Sequence, residues 1–203
     1  MTVVISPWLP EAPLEVRKFT YRDLLAMERA GILQEDQHVE LLGGQVIVMP
    51  VNPPHAAAVS QLNRRFHQVF AERLQVITQS PLRLSDDLED INLPQPDVML
   101  VAGPEKVYAD HPRPADVVLL VDVSDSTLSK DRLVKLPLYA AHGIPELWIV
   151  NLVDKQIEVY TEPHGNEYLT RVTRPLTGRF SLQRFPAETH QWLPDAILDL
   201  LDT

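Results

Sequence analysis

Apolar and polar positions along this chain follow two rhythms, and the changes between them divide it into elements. Thr20 with Asp23 three residues later has the form of a capping box, and the pattern behind it predicts a short helix over Tyr21–Ala30, ended by Gly31. Two apolar runs about Gly43-Gly44, HVELL and QVIVM, predict a β-hairpin. From about His55 to Arg73 the period lengthens to that of a helix, with Val59, Leu62, Phe66, Val69 and Phe70 as its stripe. Gln75–Gln79 and Leu82–Ser85 read as strands broken by Pro81, and DVMLV, Asp97–Val101, as a strand entered through a proline. The run VVLLVDV, Val117–Val123, is nearly continuous apolar, the pattern of a strand buried on both faces.

A helix over Ser129–His142, ended by Gly143, follows it, with a bend expected at Pro137, whose missing N–H removes one helical hydrogen bond. Pro145–Asn151, Gln156–Thr161 and Tyr168–Thr173 read as further strands, and Pro194 opens a terminal helix. The crossover from Val117–Val123 through a helix to Pro145–Asn151 is a βαβ unit, so these two strands should be parallel. The fold class is therefore α/β, a mixed central sheet flanked by helices. No repeat or long linker divides the 203 residues, so one domain is expected over 1–203, with 1–18 as an extended, proline-punctuated arm.

Composition narrows the chemistry. The chain is 45% hydrophobic and 23% charged, a globular mix, and its 18 prolines and 7 glycines are too few for a disordered chain. It has no cysteine, which excludes disulfides, zinc–thiolate sites and a cysteine nucleophile. The N-terminus lacks the basic start and apolar core of a signal peptide, and no apolar run reaches membrane-spanning length. A soluble, cytoplasmic protein is expected. The formal charge of −10 counts against a broad basic face for nucleic acid. It suits a divalent cation, whose charge reverses the local sign.

Two carboxylates stand out. Asp122 is the one charge within an apolar strand, so it either meets a partner or a metal, or sits at the strand's open end and caps the next turn. Asp97, after Pro96, is a turn residue or the opening of an apolar strand. If the two strands are neighbours, both carboxylates can approach one Mg²⁺, which commonly takes one or two protein carboxylates and completes its shell with water and phosphate. Lys135 lies 135 − 122 = 13 positions after Asp122, on the helix that follows, from which its ammonium can reach back; Lys130 competes for that role. Glu40, on the hairpin, is by strand alternation on the face opposite Val39 and Leu41.

The segments PDVMLV, LVDVSDST and KDRLVKLPLYAAHGIPELWIVN, with ELLGGQVIVMP and PPH before them, resemble a large bacterial family of endonucleases, the Uma-type group of the restriction-endonuclease-like PD-(D/E)XK superfamily. The resemblance covers about residues 18 to 175. It implies a metal-dependent endonuclease acting on DNA, with Mg²⁺ or, in its place, Mn²⁺. Asp97 matches the aspartate of the PD pair and Asp122 the (D/E) position, where most relatives carry glutamate. The lysine expected two residues later is Ser124 here, and Lys135 on the helix matches the displaced lysine. Metal ligation then falls to Asp97, Asp122 and the Val123 carbonyl. Lys135 orients water or offsets negative charge, and Glu40 completes the shell. His55 matches a histidine often seen after the hairpin. Nucleases of this fold that cut both strands pair up, so a homodimer is expected by analogy. The alternative, favoured by the Asp for Glu exchange, the displaced lysine and the acidic charge, is a nuclease fold retained as a binding or assembly module. A phosphoesterase of another fold would need a phosphate-cradling glycine loop, and the sequence has no glycine pair outside the hairpin.

Overall fold

The structure, a computed structural model, describes residues 16–34, 37–49 and 52–190. Most of the expected N-terminal arm and the terminal helix at Pro194 lie outside the described residues.

Helix α1 (Tyr21–Arg29) starts on the capping box: Asp23 N–H donates to the Thr20 side chain, and Thr20 N–H donates to Asp23 Oδ2 at 3.0 Å. Strands β1 (Val39–Leu42) and β2 (Gln45–Val48) form the hairpin, turning on Gly43 and Gly44 at φ 60° and 80°. Both central residues are left-handed, as a two-residue turn matched to strand twist requires. Helix α2 (Pro53–Phe70) begins two residues before the expected His55 and stops short of Arg73. Asn52 caps it, accepting from His55 N–H at 3.0 Å, and Pro53 takes the first turn, where no N–H is needed.

Six strands make the central sheet in the order β3-β4-β5-β6-β7-β8. They are β3 (Leu74–Thr78), β4 (Val98–Ala102), β5 (Val117–Ser124), β6 (Glu146–Asn151), β7 (Gln156–His164) and β8 (Glu167–Pro175). Only β5 and β6 are parallel, as the βαβ reading requires. Helix α2 covers one face, where Ala58, Leu62, Phe66 and Phe70 pack on Val121, Val123, Trp148 and Val150. Tyr139 and Ile144 close the other face over Leu120, Leu147 and Ile149. Trp148 is fully buried; truncating an aromatic so placed typically costs about 3–5 kcal/mol.

The structure departs from the expected elements in three places. Leu82–Ser85 is not a strand. Leu82 N–H donates to Pro94 O and Arg83 N–H to Pro112 O, two different segments, so no ladder builds. The helix expected over Ser129–His142 is present and unbroken from Leu128 to Ala141, but it is not regular: α3 (Leu128–Lys130) passes into a π-helical segment (Asp131–Lys135) and then α4 (Leu136–Ala141). The irregularity anticipated at Pro137 is thus a widened turn just before it, with Leu136 N–H donating to Asp131 O. A last small hairpin, β9 (Phe180–Leu182) with β10 (Phe185–His190), was not foreseen; Phe180 packs on Trp148 with ring centres 5.9 Å apart. Among the described residues no helix is long and apolar enough to cross a membrane.

Candidate functional site

Side-chain alternation on β5 decides where Asp122 points. Val121 and Val123 pack under α2 and Leu120 packs on the opposite face, so Asp122 faces the side covered by the π segment and α4. There Lys135 meets it, Nζ to Oδ1 at 2.6 Å. Val98 pairs with Val121, and one further step along that antiparallel register sets Asp97 beside Asp122. Asp97 Oδ2 accepts from Val123 N–H at 2.7 Å, and Oδ1 lies 3.1 Å from His55 Nε2. The structure therefore brings together Asp97, Asp122, Val123 and Lys135, contributed by the start of β4, by β5 and by the π segment.

Glu40 arrives from the hairpin. Leu41 and Leu93 exchange both backbone hydrogen bonds, which docks β1 on the segment leading to Asp97. Glu40 is fully buried, not a solvated hairpin charge. Oε1 takes Lys135 Nζ at 2.9 Å and Gln95 N–H at 3.0 Å; Oε2 takes Lys130 Nζ at 2.8 Å. Both candidate lysines are thus used, Lys135 between two carboxylates and Lys130 on the outer side of Glu40. Both oxygens of Glu40 are thereby occupied, one by Lys135 and the Gln95 N–H and the other by Lys130.

The electrostatics follow from burial. Burial pushes the Asp122 carboxyl up to about 7; Lys135 opposes the shift, and the charges of Asp131, Asp97 and Glu40 add to it. Burial would lower Lys135, but Asp122 and Glu40 outweigh it and hold the ammonium well above its ordinary value. Glu40 is likewise penalised by burial, yet Lys135 and Lys130 carry it below the usual carboxylate range. His55 is shifted up, its hydrogen bond and charge contact with Asp97 outweighing burial.

A cleft of about 170 Å³ opens over this cluster, walled by His55, Asp97, Val123, Lys130, Asp131 and Lys135 among others. Asp122 and Glu40 stand behind that wall. Asp131 is held inward by Ser124 Oγ at 2.5 Å and Thr127 Oγ1 at 2.8 Å. Sequence reasoning passed over it, although an aspartate one turn before a candidate lysine was a usable signal. Among the described residues, no three His, Asp or Glu side chains are gathered so as to hold an ion by themselves. The donor set nonetheless fits a hard cation with a partly aqueous shell. Two carboxylates stand side by side, and Asp122 Oδ2 is buried with no hydrogen-bond partner among the described residues. An orphaned anionic oxygen in a dry site is costly unless a proton or a cation meets it.

This sheet, its two helical covers and the carboxylates at the start of β4 and the end of β5 define an α/β protein of the restriction-endonuclease type. A solved structure from Anabaena variabilis, described as "a putative nuclease belonging to DUF820", superposes with a TM-score of 0.65 over 90% of this chain and 99% of that one, at 13% identity. That likeness establishes the fold. The chain belongs to the Uma2 family, described as "Putative restriction endonuclease", whose profile matches residues 21–194. No curated protein matches the chain.

Proposed function

We propose that this protein is a divalent-metal-dependent endonuclease that hydrolyses phosphodiester bonds in DNA. One observation carries the reading: Asp97 and Asp122 lie side by side, Asp122 with one oxygen on Lys135 and the other without a partner among the described residues. Asp97, Asp122 and the Val123 carbonyl would hold Mg²⁺, or Mn²⁺ in its place. When bound, such an ion neutralises phosphoryl oxygens and makes water acidic enough to attack.

The chain's own residues supply the rest. Lys135 stays protonated, so it donates hydrogen bonds toward negative charge developing on the phosphate. Glu40 fixes Lys135 against drift, and Lys130, paired to Glu40 on the open side, meets a phosphate entering the cleft. Asp97 orients His55 through Nε2. Two copies acting as a homodimer would cut both strands.

A second reading has its own support. Because Asp122 and Glu40 lie behind the cleft wall, the fold could serve as a binding module without turnover. Plasmid cleavage at low salt, with Mg²⁺ and then Mn²⁺, decides between them. The parent should nick or linearise plasmid, and Asp97→Ala should lose at least about a hundredfold in rate, the scale of removing a positioned electrostatic group. A parent that binds metal but never cuts, across varied DNA targets, sustains the binding module instead.

A further inference from the structure

A second group of charges stands on the same sheet face as Asp122, and the proposed hydrolysis makes no use of it. Asp122 pairs with Ile149, and Ile149 with Glu158, so the two carboxylates share one row with β6 between them. Two strand spacings of about 4.8 Å put their Cα atoms about 10 Å apart. The π segment reaches both. It sends Lys135 to Asp122 at 2.6 Å, and Arg132 to Glu158 with Nε at 3.1 Å from one oxygen and Nη2 on the other. Glu158 is fully buried, and Arg132 alone balances its charge through both oxygens. Tyr160 Oη adds a hydrogen bond to Oε2 at 2.5 Å.

Arg171, on β8, nevertheless comes to the same Oε2 at 3.1 Å and lies over the Tyr160 ring, 5.6 Å from its centre. Two guanidiniums on one carboxylate leave one positive charge over. The Arg132 and Arg171 side chains are 33% and 50% exposed, so that charge is within reach of a ligand in solution. Arg132 Nη1 and Arg171 Nε and Nη1 donate to nothing among the described residues. In a chain of net charge −10 this is a local reversal of sign. Planar donors fixed from behind by a buried carboxylate and an aromatic ring suit the oxygens of a phosphate.

We infer that Arg132 and Arg171 form a contact for a backbone phosphate of the DNA strand being cut, away from the scissile bond. The row spacing of about 10 Å corresponds to about three base steps of 3.4 Å along a duplex strand. Such a contact fixes the path of the strand and carries no sequence information. The inference rests on the nuclease reading.

Two substrates and two variants test it. A DNA duplex carries phosphates on both sides of the cut, and bis(p-nitrophenyl) phosphate carries none. Arg171→Ala removes the surplus charge and leaves Arg132 on Glu158. Arg174→Ala removes an equal charge from the same strand, but Arg174 pairs with Ile157 on the face under α2, whereas Arg171 pairs with Tyr160 on the face of the π segment. Arg171→Ala should raise the duplex KM about threefold to fivefold at low salt, the scale of an exposed charged contact. The slope of log KM against log salt should become shallower by about 0.9, one phosphate's share. Turnover of the small diester should stay within about twofold, the signature of lost binding with the chemistry intact, and it also reports that the variant is folded. Arg174→Ala should leave the slope as in the parent. An unchanged duplex KM and slope in Arg171→Ala, or the same change in both variants, overturns the phosphate contact and leaves the nuclease standing. Hydrolysis of neither substrate by the parent protein overturns the nuclease reading and this inference with it.

Discussion

Asp122 holds one oxygen against Lys135 and keeps the other buried, with no hydrogen-bond partner among the described residues. A carboxyl pushed up to about 7 is largely protonated below that pH, and a cation must displace the proton to bind. Mn²⁺ affinity, measured by calorimetry, should therefore rise by up to about tenfold per pH unit from pH 6 to 7 and level off above. The heat should vary with buffer ionisation enthalpy as protons are released. A flat affinity across pH 6 to 8 would remove Asp122 from the binding step. Asp97, Asp122 and Lys135 were legible as a set through the resemblance of their segments to the family; the local pattern alone left Asp122 open between a partnered charge and a turn cap, and Lys135 open beside Lys130. Glu40 was less so. Its burial depends on the pairing of Leu41 with Leu93, a contact between residues 52 positions apart (93 − 41) that no periodicity records. Gln95 gave no signal beyond its two flanking prolines.

At the scale of elements, the π segment is pinned twice to the same sheet face. Asp122 pairs with Ile149 and Ile149 with Glu158, so Glu158 lies two strands from Asp122 in one row. Fully buried, it receives Arg132 through both Nε and Nη2, Arg171 at 3.1 Å and Tyr160 Oη at 2.5 Å. Burial works against the carboxylate, but these partners win and lower its pKa. A lowered folded-state value stabilises above the unfolded value of 4.5 and is lost as pH falls below it. Glu158→Gln should cost about 1–3 kcal/mol at pH 7 in urea unfolding, and the gap to the parent should narrow steadily below pH 4.5. A constant gap from pH 7 to pH 3 would contradict this assignment. None of the network was visible in the sequence, where QIEVYT reads simply as a strand. The β9–β10 hairpin escaped for another reason: its apolar positions are too few and too widely spaced to set a period, and Trp148 supplies the surface that makes them a pair.

Across the whole molecule, the alternation of strands and helices was enough to place the fold, because long apolar runs with short turns leave few arrangements for a parallel β5–β6 pair. The charge balance came from composition, not from the pattern: 18 Lys and Arg stand against 28 Asp and Glu. If DNA is bound, log K should fall with log salt at a slope shallower than about −4, since each neutralised phosphate contributes about −0.9. A slope near −8 would require a basic face that the net charge of −10 does not suggest.

The π turn at Asp131–Lys135 carries one residue more than an α-helix of the same length needs. It can be regarded as an insertion that was retained, and it can be taken out again. Deleting the exposed Leu133 should let the helix close into ordinary α geometry, with the helical content by circular dichroism undiminished. Because the widened turn absorbs the extra residue, its removal turns the Leu136-to-Asp131 hydrogen bond into an ordinary α-helical one and leaves the flanking turns in phase, so the change falls on the side chains between them. Lys135 is one of those side chains, so a shortened chain that still folds should re-aim the ammonium now lodged between Glu40 and Asp122 while keeping every residue that surrounds it.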